Sequence, residues 1–274
     1  MNPPFPGWLD AMAWASLSLC FLCVLIILIH ELRRPQQMMV MNIVWPVTAL
    51  YLGPIALWSY FKSGSKMTRR RMQEMQQEIR TEIHEERYSN IRRMNSVKDR
   101  AGRGPTPEQV AVAAMHCGAG CTLGDIVGEC WIFGAGLTLA GGELATRLLL
   151  DFLLAWIFGV VFQYFTIAPM RGLPFRKGLK EAVRADTLSI TAFQIGMSGW
   201  AALSYFVLFP DPHLHANRAI FWFMMQIGVV IGFLASYHVN VFLIKKGWKE
   251  KMPQYKSQMK EQMRQSQGRE EQVA

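Results

Sequence analysis

The chain has 274 residues, a net charge of +9, 51% hydrophobic residues, 12% aromatic residues and 18% charged residues. The charged share falls below the roughly 25% of an average soluble domain, and the charges sit between long apolar runs, which excludes an ordinary soluble fold. The basic excess flanks those runs and lacks a nucleic-acid-binding motif, so it suits anionic lipid headgroups and membrane orientation better than DNA or RNA.

Taken in chain order, a first span is expected at about 9–29 and a second at about 38–61, with Pro46 and Pro54 kinking the second. Met1–Met12 contains no Lys or Arg, unlike the start of a cleaved signal peptide, so the first span is read as permanent. Residues 62–106 form a basic loop. Met72, Met75, Ile79 and Ile83 mark an amphipathic helix within it. Thr106-Pro107-Glu108-Gln109 announces the next helix by its cap and its first-turn proline. A third span then runs from about 110 to 133, a fourth from 144 to 168, a fifth from 189 to 209 and a sixth from 219 to 244. The expected fold is an all-α, polytopic transmembrane bundle. Its organisation is 1–61 (two helices), 62–106 (basic cytosolic loop), 107–252 (four-helix membrane domain) and 253–274 (polar tail). With both termini cytosolic, 25 Lys or Arg fall inside and four outside, which follows the positive-inside rule.

The third span carries the densest chemistry. Gly120, Gly124 and Gly128 recur every four residues and form a groove that admits a neighbouring helix. Cys117, Cys121 and Asp125 recur with the same period on an adjoining face, while His116 points about 100° away from Cys117. Thiols, imidazole and carboxylate suit a soft transition metal, yet two cysteines four apart on a helix are also ordinary small core residues. Asp125 and Glu129 lie in an apolar run, where ionisable groups are costly and mark function by default. Asp151 is expected at a similar depth, with Gln226 beside it. His116, Gln163, Gln194, His238 and Asn240 are expected to form an inner layer, with Met197 slightly deeper.

The run His116-Cys-Gly-Ala-Gly-Cys-Thr-Leu-Gly-Asp125 resembles a family of membrane proteins known mainly as a domain of unknown function. Ala185-Asp-Thr-Leu-Ser189, Gln194-Ile-Gly-Met197, Met224-Met-Gln-Ile-Gly228, His238-Val-Asn240 and Lys246-Gly-Trp-Lys-Glu250 extend the likeness over about 107–252. The sequence is similar to fungal membrane-bound terpene cyclases of the ascofuranone and macrophorin type. That resemblance implies an endomembrane, multi-pass enzyme that closes rings on the farnesyl chain, or its epoxide, of a prenylated phenol in meroterpenoid biosynthesis. It implies the bilayer, a hydrophobic substrate and other pathway enzymes as partners.

The chemistry of such a reaction places roles on residues. A carboxyl surrounded by hydrocarbon keeps its proton at neutral pH and serves as the acid, which points to Asp125, Glu129 and Asp151. Trp131, Trp156, Trp200 and Trp222 are candidates for stabilising a carbocation through their ring faces. This scheme needs no cofactor. In the alternative, bacterial relatives having been linked with copper, His116, Cys117, Cys121, Met197 and His238 form a copper site.

Overall fold

The computed structural model describes residues 5–88, 107–136, 142–171, 173–246, 248–249 and 263. Eight α-helices carry the described chain: α1 (Gly7–Arg33), α2 (Met41–Leu52), α3 (Pro54–Lys62), α4 (Arg69–Tyr88), α5 (Pro107–Ala135), α6 (Glu143–Arg171), α7 (Phe175–Leu203) and α8 (Ala219–Lys245). There is no β-strand among the described residues. A single antiparallel bridge joins Gln36 to Thr68.

Among the described residues, four segments are long and apolar enough to cross a membrane: Gly7–Arg33, Val110–Ala135, Leu144–Ala168 and Ala219–Lys245. Much of the outer surface of α1 is bare Leu, Ile, Phe and Trp, as lipid contact requires. By contrast α5 is the most enclosed of the four. Its small residues explain this. A side chain added at Gly120 would stand 2.8 Å from the Cα of Gly159, and one added at Gly124 would run into the backbone of Ala155. The groove expected on α5 is thus filled by α6, backbone against backbone. A second close crossing joins α7 to α8, where a Cβ on Gly232 would lie 2.7 Å from the Phe193 carbonyl oxygen.

The expected second span takes a different form. The chain breaks at Gly53, whose φ of +49° favours glycine, and Pro54 starts α3 without needing a donor. α3 then turns back beside α2. Trp45, early in α2, meets Tyr60, late in α3, with ring centroids 5.5 Å apart. The Tyr60 hydroxyl is 2.7 Å from His30 Nδ1, near the end of α1. The tip at Gly53 reaches Cys20, halfway along α1. A helix of 12 residues is about 18 Å long, which is half a bilayer. The pair is a helical hairpin. Proline and glycine, read in sequence as a kink, reverse the chain.

Packing also fixes which helix ends lie together. Leu9 and Ala13 of α1 share a core with Ile220 and Phe221 of α8, so these two helices start side by side. Ser16 donates to Gln226 Oε1 at 2.9 Å, and Gln226 Nε2 donates to Leu50 O near the hairpin tip at 2.6 Å. Val110 and Ala113 at the start of α5 pack on Ile244 at the end of α8. In the basic loop, α4 buries Met72 and Ile79 of the expected stripe. The Ile83 side chain, residues 89–106, Gly141 and nearly all of the polar tail lie outside the described residues.

Candidate functional site

Polar side chains collect in two layers of the bundle. The outer one lies near the end of α5 and the start of α6. Glu129 and Arg147 form a buried ion pair, with Nε to Oε2 at 3.5 Å, and Arg147 also donates to the Leu214 carbonyl at 3.5 Å. The Arg147 guanidinium stands 5.4 Å from the Phe221 ring centre. Asp151 is one turn further along α6 and is 3% exposed. Its Oδ1 sits over Gly128, where any Cβ would strike it, so that glycine makes room for the carboxyl. Asp125 is buried behind, and Gln194 Nε2 donates to its Oδ1 at 3.1 Å. No described donor meets Asp125 Oδ2 or Asp151 Oδ1.

The two carboxyls differ in access. A cavity of about 60 Å³ is walled by Glu129, Arg147, Asp151, Trp200, Tyr205 and Phe221. Asp151 reaches it, whereas Asp125 is not among its lining residues. The aromatic wall is completed by Met197, Met224 and Met225, which makes the chamber mostly apolar, with the Ser204 hydroxyl as a further polar group.

Of the tryptophans proposed for the site, only Trp200 lines this cavity, held by its indole N–H, which donates to Met224 O at 2.9 Å. Trp156 donates to Thr187 Oγ1 at 3.1 Å on the α6–α7 face, and Trp222 to Ala216 O at 2.8 Å near the α8 start. Trp131 projects outward, more than half exposed.

The soft donors are divided. Cys117, Cys121 and Met197 share one buried cluster with Ile190, Phe193 and Tyr51. His116 turns away from them, to Thr166 Oγ1 at 3.0 Å. His238 is on an exposed face, facing its own helix at Leu234 O. Among the described residues, no three His, Cys, Asp or Glu side chains converge as ligands for a metal ion. The donor set proposed for copper therefore offers two thiols and a thioether without an imidazole, which does not fit the five-residue site.

The inner layer differs from its expected membership. Gln194 belongs with Asp125, and His238 faces outward. Asn240 donates to Ser189 Oγ at 2.8 Å. Sequence reasoning missed two members, Asp186 of α7 and Lys249, which form a buried ion pair at 2.5 Å. An aspartate one turn before the apolar half of α7 was the available signal.

Residues 107–249 match the family described as a domain of unknown function, DUF4396. No curated protein and no solved structure matches the chain.

Proposed function

The chain belongs to the family described as domain of unknown function DUF4396, and from that premise we propose that it is an integral membrane enzyme whose acid chemistry occurs at the Asp151 cavity. The observation that carries this reading is the Asp151 carboxyl. It is buried, has one oxygen without a described partner, and faces an apolar chamber beside Trp200, Tyr205 and Phe221. Glu129 pairs with Arg147, Asp151 lines the same cavity and Asp125 is buried one turn before Glu129, and among the described residues lining the cavity Arg147 is the cation. Electroneutrality in a medium that does not solvate ions calls for protons on the remaining carboxyls. A protonated acid next to aromatic walls and away from water suits a carbocation cyclisation.

Together with the resemblance to membrane terpene cyclases, this makes the substrate a farnesyl chain, or its terminal epoxide, on a phenol. Asp151 gives its proton to the epoxide oxygen or the terminal alkene carbon. The chain double bonds attack the electron-poor carbon in turn, and a proton lost at the last cation restores the acid. The product is an isomer of the substrate. Ligand cavities run to roughly 300–1,000 Å³, so this one takes the reacting end of the chain as it stands. The copper reading has less support, because the imidazoles stand apart from the thiols.

The same reading includes a topology. α1, α5, α6, α7 and α8 cross the bilayer, and α2–α3 enter and leave on one side. The N terminus then lies opposite the C terminus, and the cavity opens near the N-terminal side. With connecting segments assigned to the side on which they begin and end, 27 Lys or Arg lie on the C-terminal side against Arg147 and Arg218 on the other. That asymmetry exceeds the one obtained with six spans, and it supports a cytosolic C terminus.

The test is a microsomal assay. Membranes carrying the protein are given a farnesylated phenol or its terminal epoxide, with and without a chelator. The expected product is a cyclised isomer that forms equally in both. No turnover, together with stoichiometric copper in the purified protein, would overturn the proposal.

A further inference from the structure

α7 does not end as an ordinary helix. It continues into one π-helical turn, Ser204–Leu208, closed by the Phe209 N–H donating to Ser204 O at 2.9 Å. Such turns are rare and are found often at functional sites. Here the turn brings two consecutive residues, Ser204 and Tyr205, to the wall of the cavity that Asp151 borders from α6. On a regular α-helix their side chains would diverge by about 100°. The Tyr205 ring stacks on His213 with centroids 3.8 Å apart, which holds the turn against the following loop.

The Ser204 hydroxyl stands apart from the other buried hydroxyls. A serine or threonine inside a helix can donate to the carbonyl four residues earlier. Thr48, Thr122 and Thr166 do so, at 2.7, 2.8 and 3.0 Å. Ser204 does not. The residue is only 8% exposed, yet among the described residues nothing meets its Oγ. An unmet hydroxyl in apolar surroundings is costly, and it points to a ligand that completes it.

One cavity thus has two buried residues with an unmet polar atom in its wall, Asp151 with Oδ1 and Ser204 with Oγ. Its volume is about 60 Å³, so small that both residues address one head of a ligand. Two further polar residues of the wall, Glu129 and Arg147, are engaged with each other. An anion would meet an excess of carboxyls, and a plain hydrocarbon would leave both residues unmet. A neutral oxygen with two lone pairs satisfies both. It accepts one hydrogen bond from the Asp151 carboxylic acid and one from the Ser204 hydroxyl. We propose that Ser204 determines specificity at this site, restricting it to a chain with an oxygen at the reacting end, the terminal epoxide, over the plain alkene. The inference rests on the cyclase reading above. The Asp151 proton passes to the epoxide oxygen as the bond from that oxygen to the more substituted carbon breaks, and the bonding pair stays on oxygen. The Ser204 hydrogen bond offsets the negative charge that gathers there, and the oxygen remains on the product as a hydroxyl.

The experiment compares a farnesylated phenol with its terminal epoxide in microsomes carrying wild type, Ser204→Ala or Ser204→Thr, at equal amounts of folded protein. Wild type is expected to turn over the epoxide at least about 100-fold faster, because a buried hydrogen-bonding site rejects an analogue that lacks the polar group. Ser204→Ala is expected to lower kcat on the epoxide by about 10²–10³-fold, as removal of one preorganised donor does, and to shrink that preference. Ser204→Thr keeps a hydroxyl and is expected to retain most of the rate. Equal turnover of the two substrates by wild type, or an epoxide rate untouched in Ser204→Ala, overturns the role of Ser204 and leaves the cyclase reading standing. So does an equal fractional loss on both substrates, the mark of a merely structural hydroxyl or of one that holds a resident water. Turnover of neither substrate by wild type overturns the cyclase reading and this inference with it. Should Ser204→Ala fail to fold, the wild-type preference decides together with Ser204→Cys, whose thiol is a weak donor of similar size.

Discussion

The two polar layers contain similar ingredients in different proportions. In the outer layer Glu129 meets Arg147, Asp125 is buried one turn away, and Asp151 borders a cavity. In the inner layer one carboxylate meets one ammonium, and a backbone bend closes over them. An excess of acid beside open space is an arrangement for chemistry. A matched pair under a cover is an arrangement for holding helices together. The difference teaches that a buried charge gains a functional reading from its balance and its access, and that burial alone does not separate the two cases.

Several substitutions would break or sharpen that contrast. The largest effect is expected from Gly124→Leu, which forces α5 away from the Ala155 backbone and disturbs both layers together. Loss of roughly 4 kcal/mol or more is expected, read as loss of the folded, detergent-stable protein in a thermal melt. Next is Lys249→Met. It strands Asp186 and is expected to cost about 3–5 kcal/mol, whereas adding Asp186→Asn should recover most of that loss. Failure of the double variant to recover would remove the ion pair from its proposed role. Trp200→Ala takes away the one candidate tryptophan at the cavity and is expected to lower cyclisation by about tenfold or more, in line with roughly 2 kcal/mol for a desolvated ring. The same change at Trp131, outside the cavity, should leave the rate unaltered. The smallest effect is expected from Cys117→Ser with Cys121→Ser, where cyclisation persists and stability falls by about 1–3 kcal/mol through buried hydroxyls without new partners. Loss of bound copper in that variant would move the chemistry to the thiols.

Much of this arrangement is legible in the sequence. The apolar runs at α1, α5, α6 and α8 stand out because length and hydropathy are one-dimensional signals. The glycine groove and the outer carboxyls follow from a period of four and from counting depth along α5. Direction is what hydropathy does not carry. Residues 38–61 have the composition of one span, yet the positive φ at Gly53 turns α3 back beside α2. Depth also failed for Gln194. Its span was counted from 189, but α7 begins at Phe175, so Gln194 lies deeper and reaches Asp125. Lys249 was hidden for a related reason. It lies beyond the last span, and only the bend at Leu243 brings it inside.

The sequence offers Asp125, Glu129 and Asp151 as the acid without choosing among them, and access to the cavity together with the Glu129–Arg147 pairing favours Asp151. The most direct measurement is therefore the cyclisation rate of Asp151→Asn, compared with wild type at equal amounts of folded protein in microsomes. The amide keeps the shape and removes the transferable proton, so a fall of about 10²–10⁴-fold with an unchanged melting temperature is predicted. Wild-type turnover by a folded Asp151→Asn protein would contradict the account.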